Sequence, residues 1–159
     1  MLPEVPWQDA PFDVPLDTDP CQRLEMLDIL MRRPCPELDA ASRGISSPVE
    51  ALRWAQRRGY HPDTPGKEEF QSLKWTIEHG GDCEDLASLV VALMWRLGYD
   101  AEVVWITQTG QDLNHVTARV KLDGENWYWA DASIDGAILG EDPYKAAERL
   151  GKLHVLGGR

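Results

Sequence analysis

One stretch, from Gly80 to Gly98, limits what this chain can fold into more than any other. It reads Gly80-Gly81-Asp82-Cys83-Glu84-Asp85-Leu86-Ala87, continues as an apolar run, and closes on Leu97-Gly98-Tyr99. Asp82 is a residue type that caps helices and Asp85 follows three positions later, so the spacing predicts a helix beginning at Cys83, with Gly98 as its left-handed stop. The thiol then sits in the first turn, where free N–H groups and partial positive charge stabilise a thiolate and any oxyanion formed beside it. Between Leu86 and Trp95 almost every residue is apolar, so other elements must cover this helix on most sides. The pattern predicts a buried rod holding one cysteine at a glycine-lined opening.

The flanking sequence supplies the cover. At 159 residues and 43% hydrophobic content the chain can bury a core without disulfides. Residues 1–20 hold five prolines with Trp7 and Phe12 among them, which predicts an extended arm ahead of a single domain over 21–159. Asp19-Pro20 opens a helix to about Arg33, stopped by Pro34-Cys35-Pro36. After a polar loop, Ser47-Pro48-Val49-Glu50 has capping-box order and starts a second helix that runs toward Gly59. A third is expected from about Lys67 to His79, ending at Gly80 and delivering the chain to Cys83. Beyond Gly98 the period becomes that of strands: Ala101 to Thr107, a turn at Thr109-Gly110-Gln111-Asp112, then Asn114 to Leu122 and Glu125 to Ala132 around Asp123-Gly124. A short helix from Asp142-Pro143 and a last strand over Lys152 to Leu156 complete an α+β layout.

Charge narrows the function classes. A formal net charge of −11 disfavours nucleic acid and anionic membrane surfaces as partners. No apolar segment is long enough to span a bilayer and no signal-like start is present, so a cytoplasmic location is expected. Three cysteines, at 21, 35 and 83, lack metal-site spacing and form no disulfide framework, although Cys21 and Cys35 could pair in an oxidising compartment.

A nucleophilic thiol needs a base, and the base needs an orienting acceptor. His115 lies in the middle strand and Asp131 near the end of the next. If Leu122-Asp123-Gly124 is a three-residue loop, Lys121 pairs with Glu125, Arg119 with Trp127 and Thr117 with Trp129, and His115 falls opposite Asp131. A strict two-residue Asp-Gly loop would put His115 and Asp131 on opposite faces, so the three-residue loop, or a bulge that restores the match, is expected. His79 is a rival base, but at a helix end it reads as a surface residue or cap; His61 and His154 have no comparable context. Each member alone has a structural explanation, whereas the ordered set of helix-start cysteine, strand histidine and strand aspartate is much less expected by chance than any one of them.

Gly81-Asp82-Cys83-Glu84-Asp85-Leu86-Ala87, the Leu-Gly-Tyr with its strand, Asn114-His115-Val116 and Trp127-Tyr128-Trp129-Ala130-Asp131 together resemble the transglutaminase-like superfamily of papain-like cysteine enzymes, in a form similar to its bacterial cysteine proteinases. The resemblance implies a papain-like α+β fold and acyl transfer through a thioester on Cys83, with His115 as base and then acid and Asp131 holding the imidazole. The Cys83 N–H would help bind the oxyanion, with Gln71 as the candidate side-chain donor. Protease or amidohydrolase activity on a protein or peptide substrate is expected. Transglutaminase or glutamine-deamidase activity, or a non-catalytic binding module such as a phage accessory protein, are the alternatives. Asp82, Glu84 and Asp85 crowd the thiol with carboxylates that oppose its ionisation. In the adhesin-cleaving relatives the corresponding acidic residues bind calcium, so these three are the candidate ligands here; otherwise no cofactor is required.

Overall fold

A computed structural model describes residues 4–107 and 114–156, and the expected turn at 109–112 lies outside them. In chain order the elements are β1 (Phe12–Val14), α1 (Pro20–Arg32), α2 (Pro36–Ser42), α3 (Pro48–Gln56), β2 (Glu68–Phe70), α4 (Leu73–His79) and α5 (Cys83–Arg96). There follow β3 (Ala101–Thr107), β4 (Asn114–Asp123), β5 (Asn126–Trp129), α6 (Pro143–Leu150) and a 3₁₀ turn at Leu153–Leu156. The α+β layout stands. Among the described residues, no helix is long and apolar enough to cross a membrane.

The apolar run forms α5, with every side chain from Cys83 to Met94 buried. It packs on β4 and β3 on one side and on α1, α3 and α4 on the other. Leu86, Leu89, Val90, Val91, Ala92 and Leu93 have no exposed surface, so the helix forms the centre of the main core. Burying each such aliphatic side chain stabilises the fold by roughly 1.5–3 kcal/mol before entropy is counted. The helix ends at Leu97, and Gly98 follows with φ 91°.

Three local expectations are corrected. Residues 36–42, expected as loop, form α2, because Pro36 suits a first helical position as well as it stops α1. The helix expected from Lys67 is instead β2 followed by α4: Ser72 caps the Trp75 N–H, and Glu68, Glu69 and Phe70 pair antiparallel with Val14, Asp13 and Phe12. Here pairing with the N-terminal arm overrides helix propensity, and Phe12 meets Phe70 edge-on with centroids 6.5 Å apart. The tail over 153–156 is 3₁₀ rather than strand; Val155 and Leu156 fill a satellite core with Ile134, Ala146 and Ala147.

The hairpin takes the bulged alternative. Asp123 pairs with Asn126 across a two-residue loop, Gly124-Glu125, with Gly124 at φ 62°, and the register shifts between Lys121 and Asp123. Lys121 pairs with Trp127 and Arg119 with Trp129, two residues from the three-residue-loop register. The bulge at Leu122 restores the face that a strict two-residue loop would have inverted. The Ala130 N–H donates to Ala118 O at 2.9 Å, so pairing continues past β5 and brings Asp131 across from Thr117, with His115 diagonal to it on the same face.

Candidate active site

Two glycines set the entrance to α5. Gly80 has φ 75°, and a Cβ there would stand 2.4 Å from Gly59 O and 2.6 Å from Arg58 O. A Cβ on Gly81 would meet the Asp85 carboxylate at 2.6 Å. Removing both side chains lets the 80–81 backbone lie against residues 59–61: Gly81 N–H donates to Gly59 O, and His61 N–H to Gly81 O at 2.8 Å. Asp82 and Asp85 then close a reciprocal capping box, each carboxylate accepting from the other's backbone N–H. The thiol is thereby fixed in the first turn of α5.

Cys83 is only 5% exposed. The Val116 backbone lies close enough to its sulfur to favour the thiolate, which places the thiol against β4, the strand that carries His115. Its Sγ lies 3.4 Å from Glu84 Oε2. Burial first, then the Glu84 charge, pushes the thiol well above its ordinary pKa; the Val116 backbone opposes this, and the Asp131 charge adds to it. Burial and the neighbouring carboxylates thus oppose the thiolate that the helix terminus favours.

His115 is fully buried. Its Nε2 is 2.6 Å from Asp131 Oδ2. An ionised carboxylate can only accept, so the network assigns a proton to Nε2. The other ring nitrogen, Nδ1, is buried and has no hydrogen-bond partner among the described residues. Asp131 is fully supplied: Thr117 Oγ1 donates to Oδ2 at 2.7 Å, while Ser133 Oγ, Ser133 N–H and Ile134 N–H donate to Oδ1 at 2.6, 2.9 and 3.2 Å. Burial would raise its pKa, but the His115 charge and the hydrogen bonds from His115, Ser133 and Thr117 outweigh that and hold it below the ordinary carboxylate value. Asp131 thus remains an anion in the interior.

The other candidates lie apart. Gln71 does not reach the thiol: its Nε2 donates to Thr76 Oγ1 at 2.9 Å and Gly80 O at 2.7 Å, and it lines a cavity that Cys83 does not. The carboxylates divide. Asp82 and Glu84 have oxygens within 4.8 Å of each other and of the Cys83 sulfur, and Asp82 forms a second such group with Asp63 and Glu68. Asp85 belongs to neither, being committed to the cap. Burial first, and then the Glu84 charge, raises both Asp82 and Asp85 well above the ordinary carboxylate range.

Sequence reading missed Thr117, Ser133 and Gln56. Thr117 had a signal, since it lies two residues from His115 on the same strand face. Ser133 had one as well, because an aspartate commonly accepts from the N–H two residues on. Gln56 had none: its amide donates to Asp131 O, Ile134 O and Ala137 O, holding a loop 75 residues away in sequence.

A family model described as the transglutaminase-like superfamily matches residues 39–132, which takes in Cys83, His115 and Asp131. No curated protein matches the chain. Among solved structures, a "Putative Cysteine Protease" from Cytophaga hutchinsonii aligns with TM-score 0.48 and 18% identity over 80% of this chain. The chain spans about half the length of that protein, 49%.

Proposed function

The chain belongs to the transglutaminase-like superfamily, and from that premise we propose that it is a cysteine protease or amidohydrolase working through Cys83, His115 and Asp131. The observation that carries the proposal is the state of His115. One ring nitrogen is bound to a buried, fully hydrogen-bonded carboxylate, and the other is buried without a partner on the strand that touches the thiol. A core histidine of purely structural use would have both nitrogens satisfied.

Burial and Glu84 favour the protonated thiol, and its proton leaves Cys83 during attack. His115 Nδ1 accepts it as Sγ bonds to the substrate carbonyl carbon. The Cys83 N–H stabilises the resulting oxyanion, at about 3 kcal/mol for one such donor. Asp131 stabilises the imidazolium and fixes its tautomer. The Nδ1 proton then passes to the leaving amine, the C–N bond breaks, and a thioester remains on Cys83. Water, deprotonated by Nδ1, releases the acid and restores the thiol.

Calcium is a further part of the reading. Its hard oxygen donors would be Asp82 and Glu84 beside the thiol, or Asp82 with Asp63 and Glu68, an all-oxygen set better suited to a hard ion than one including sulfur. Bound there, it would offset the mutual repulsion of the carboxylates gathered around Asp82. Asp85 remains a cap.

The test is incubation with casein and a labelled primary amine. Cleavage that is lost in Cys83→Ala supports the hydrolase. Incorporation of the amine without cleavage would reassign the protein as a transglutaminase. Neither, with Cys83 no more reactive than Cys21, would favour a non-catalytic binding module.

A further inference from the structure

Two cavities open onto the thiol, one of about 290 Å³ and one of about 490 Å³, and the residues they share are Cys83 and Leu16. The two cavities therefore meet at Leu16 and Cys83, with the leucine on the border between them. Leu16 is 64% exposed, yet its backbone is not loose. Thr18 N–H closes a turn onto Pro15 O at 3.0 Å. The Arg23 guanidinium donates to Leu16 O at 3.0 Å and to Thr18 O at 2.8 Å while pairing with Glu68 at 2.6 Å. On the upstream side, pairing of β1 with β2 ties down the same segment. A single exposed leucine needs no explanation by itself; one clamped at both ends beside a buried nucleophile is a built feature.

The two openings differ in chemistry. Toward the sheet, Trp105, Val116 and Pro20 form the apolar wall, edged by Thr18, Asn114, Glu84 and Arg23, whose charge Glu68 neutralises. Toward the 60–67 loop, they include Asp63, Thr64, Lys67, Asp82 and His154. We propose that Leu16 is a specificity-determining residue that partitions the cleft, so that a bound extended peptide crosses it with an aliphatic or aromatic side chain in the Trp105–Val116 cavity and polar groups on the other side. This rests on the reading of Cys83 as the nucleophile. The Pro-rich arm is then a wall of the substrate cleft, through Leu16 rather than through Trp7 or Phe12.

The test compares alkylation of Cys83 by N-benzyl-iodoacetamide and by iodoacetamide, read site by site by mass spectrometry and normalised to glutathione. The expected benzyl preference is about 10-fold, the scale on which an apolar pocket discriminates. It should fall toward one in Leu16→Ala and persist in Leu16→Met. Thermal unfolding of both variants verifies the fold. A Cys83 that reacts with both reagents but shows no benzyl preference, or a preference unchanged in Leu16→Ala, overturns the partition and leaves the hydrolase reading standing. A Cys83 inert to both reagents overturns the two together.

Discussion

Asp131 accepts from four residues through two oxygens, and this makes it an orienting anion rather than a proton acceptor. In Asp131→Asn the side-chain NH₂ faces groups that are themselves donors, so the imidazole loses the partner that fixes its tautomer. Turnover should fall by about 10³–10⁴-fold with Cys83 still in place. Thr117→Val removes one supporting bond and should cost about 10-fold in kcat, the usual scale of such outer contacts. The thiol makes a separate prediction. Its pKa is raised in the folded protein, so neither state differs in protonation below the ordinary thiol value. Above that value the unfolded chain releases a proton that the folded chain retains, and stability falls as pH rises. Denaturant unfolding between pH 7 and 10 should therefore show a steeper loss for the wild type than for Cys83→Ala.

At the scale of elements, the entry to α5 is the least tolerant point. Gly80→Ala would force a Cβ into two backbone carbonyls and also strain a positive φ, and should cost about 3 kcal/mol by chemical denaturation. Gly98→Ala has a comparable φ of 91° but open space around it, so only the backbone cost applies, about 1 kcal/mol. These elements also mark what the sequence made legible. The cap, the glycines and the unbroken apolar run specify α5 locally, and His115 and Asp131 share a face because strand parity survives the bulge. The helix at 36–42 escapes a sequence reading because Pro36 serves equally as the stop of α1 and the start of α2, whereas 67–72 depends on a distant partner. β2 exists through pairing with residues 12–14, and no local pattern records that partner. Gln56 was invisible for the same reason, its three acceptors being supplied by a loop far along the chain.

Over the whole molecule, a net charge of −11 and the Glu84 and Asp63 carboxylates beside the cleft outweigh Lys67 and the Glu68-paired Arg23, giving the approach to Cys83 a negative potential. Neutral iodoacetamide should label Cys83 several-fold faster than anionic iodoacetate, after correction for intrinsic reactivity. The ratio should shrink between about 0.01 and 1 M salt, as the screening length falls from about 30 to 3 Å.

The central claim is that Cys83 and His115 act as one unit. The most direct measurement is the acylation rate of Cys83 by p-nitrophenyl acetate, followed by nitrophenolate release and by the mass of the acyl-enzyme, in wild type and His115→Gln. The account predicts a thioester on Cys83 that forms and hydrolyses in the wild type, with acylation slowed by about 10³-fold or more without the imidazole. Equal rates in the two proteins would contradict it, because the thiol would then be reacting without the base that the site is built to supply.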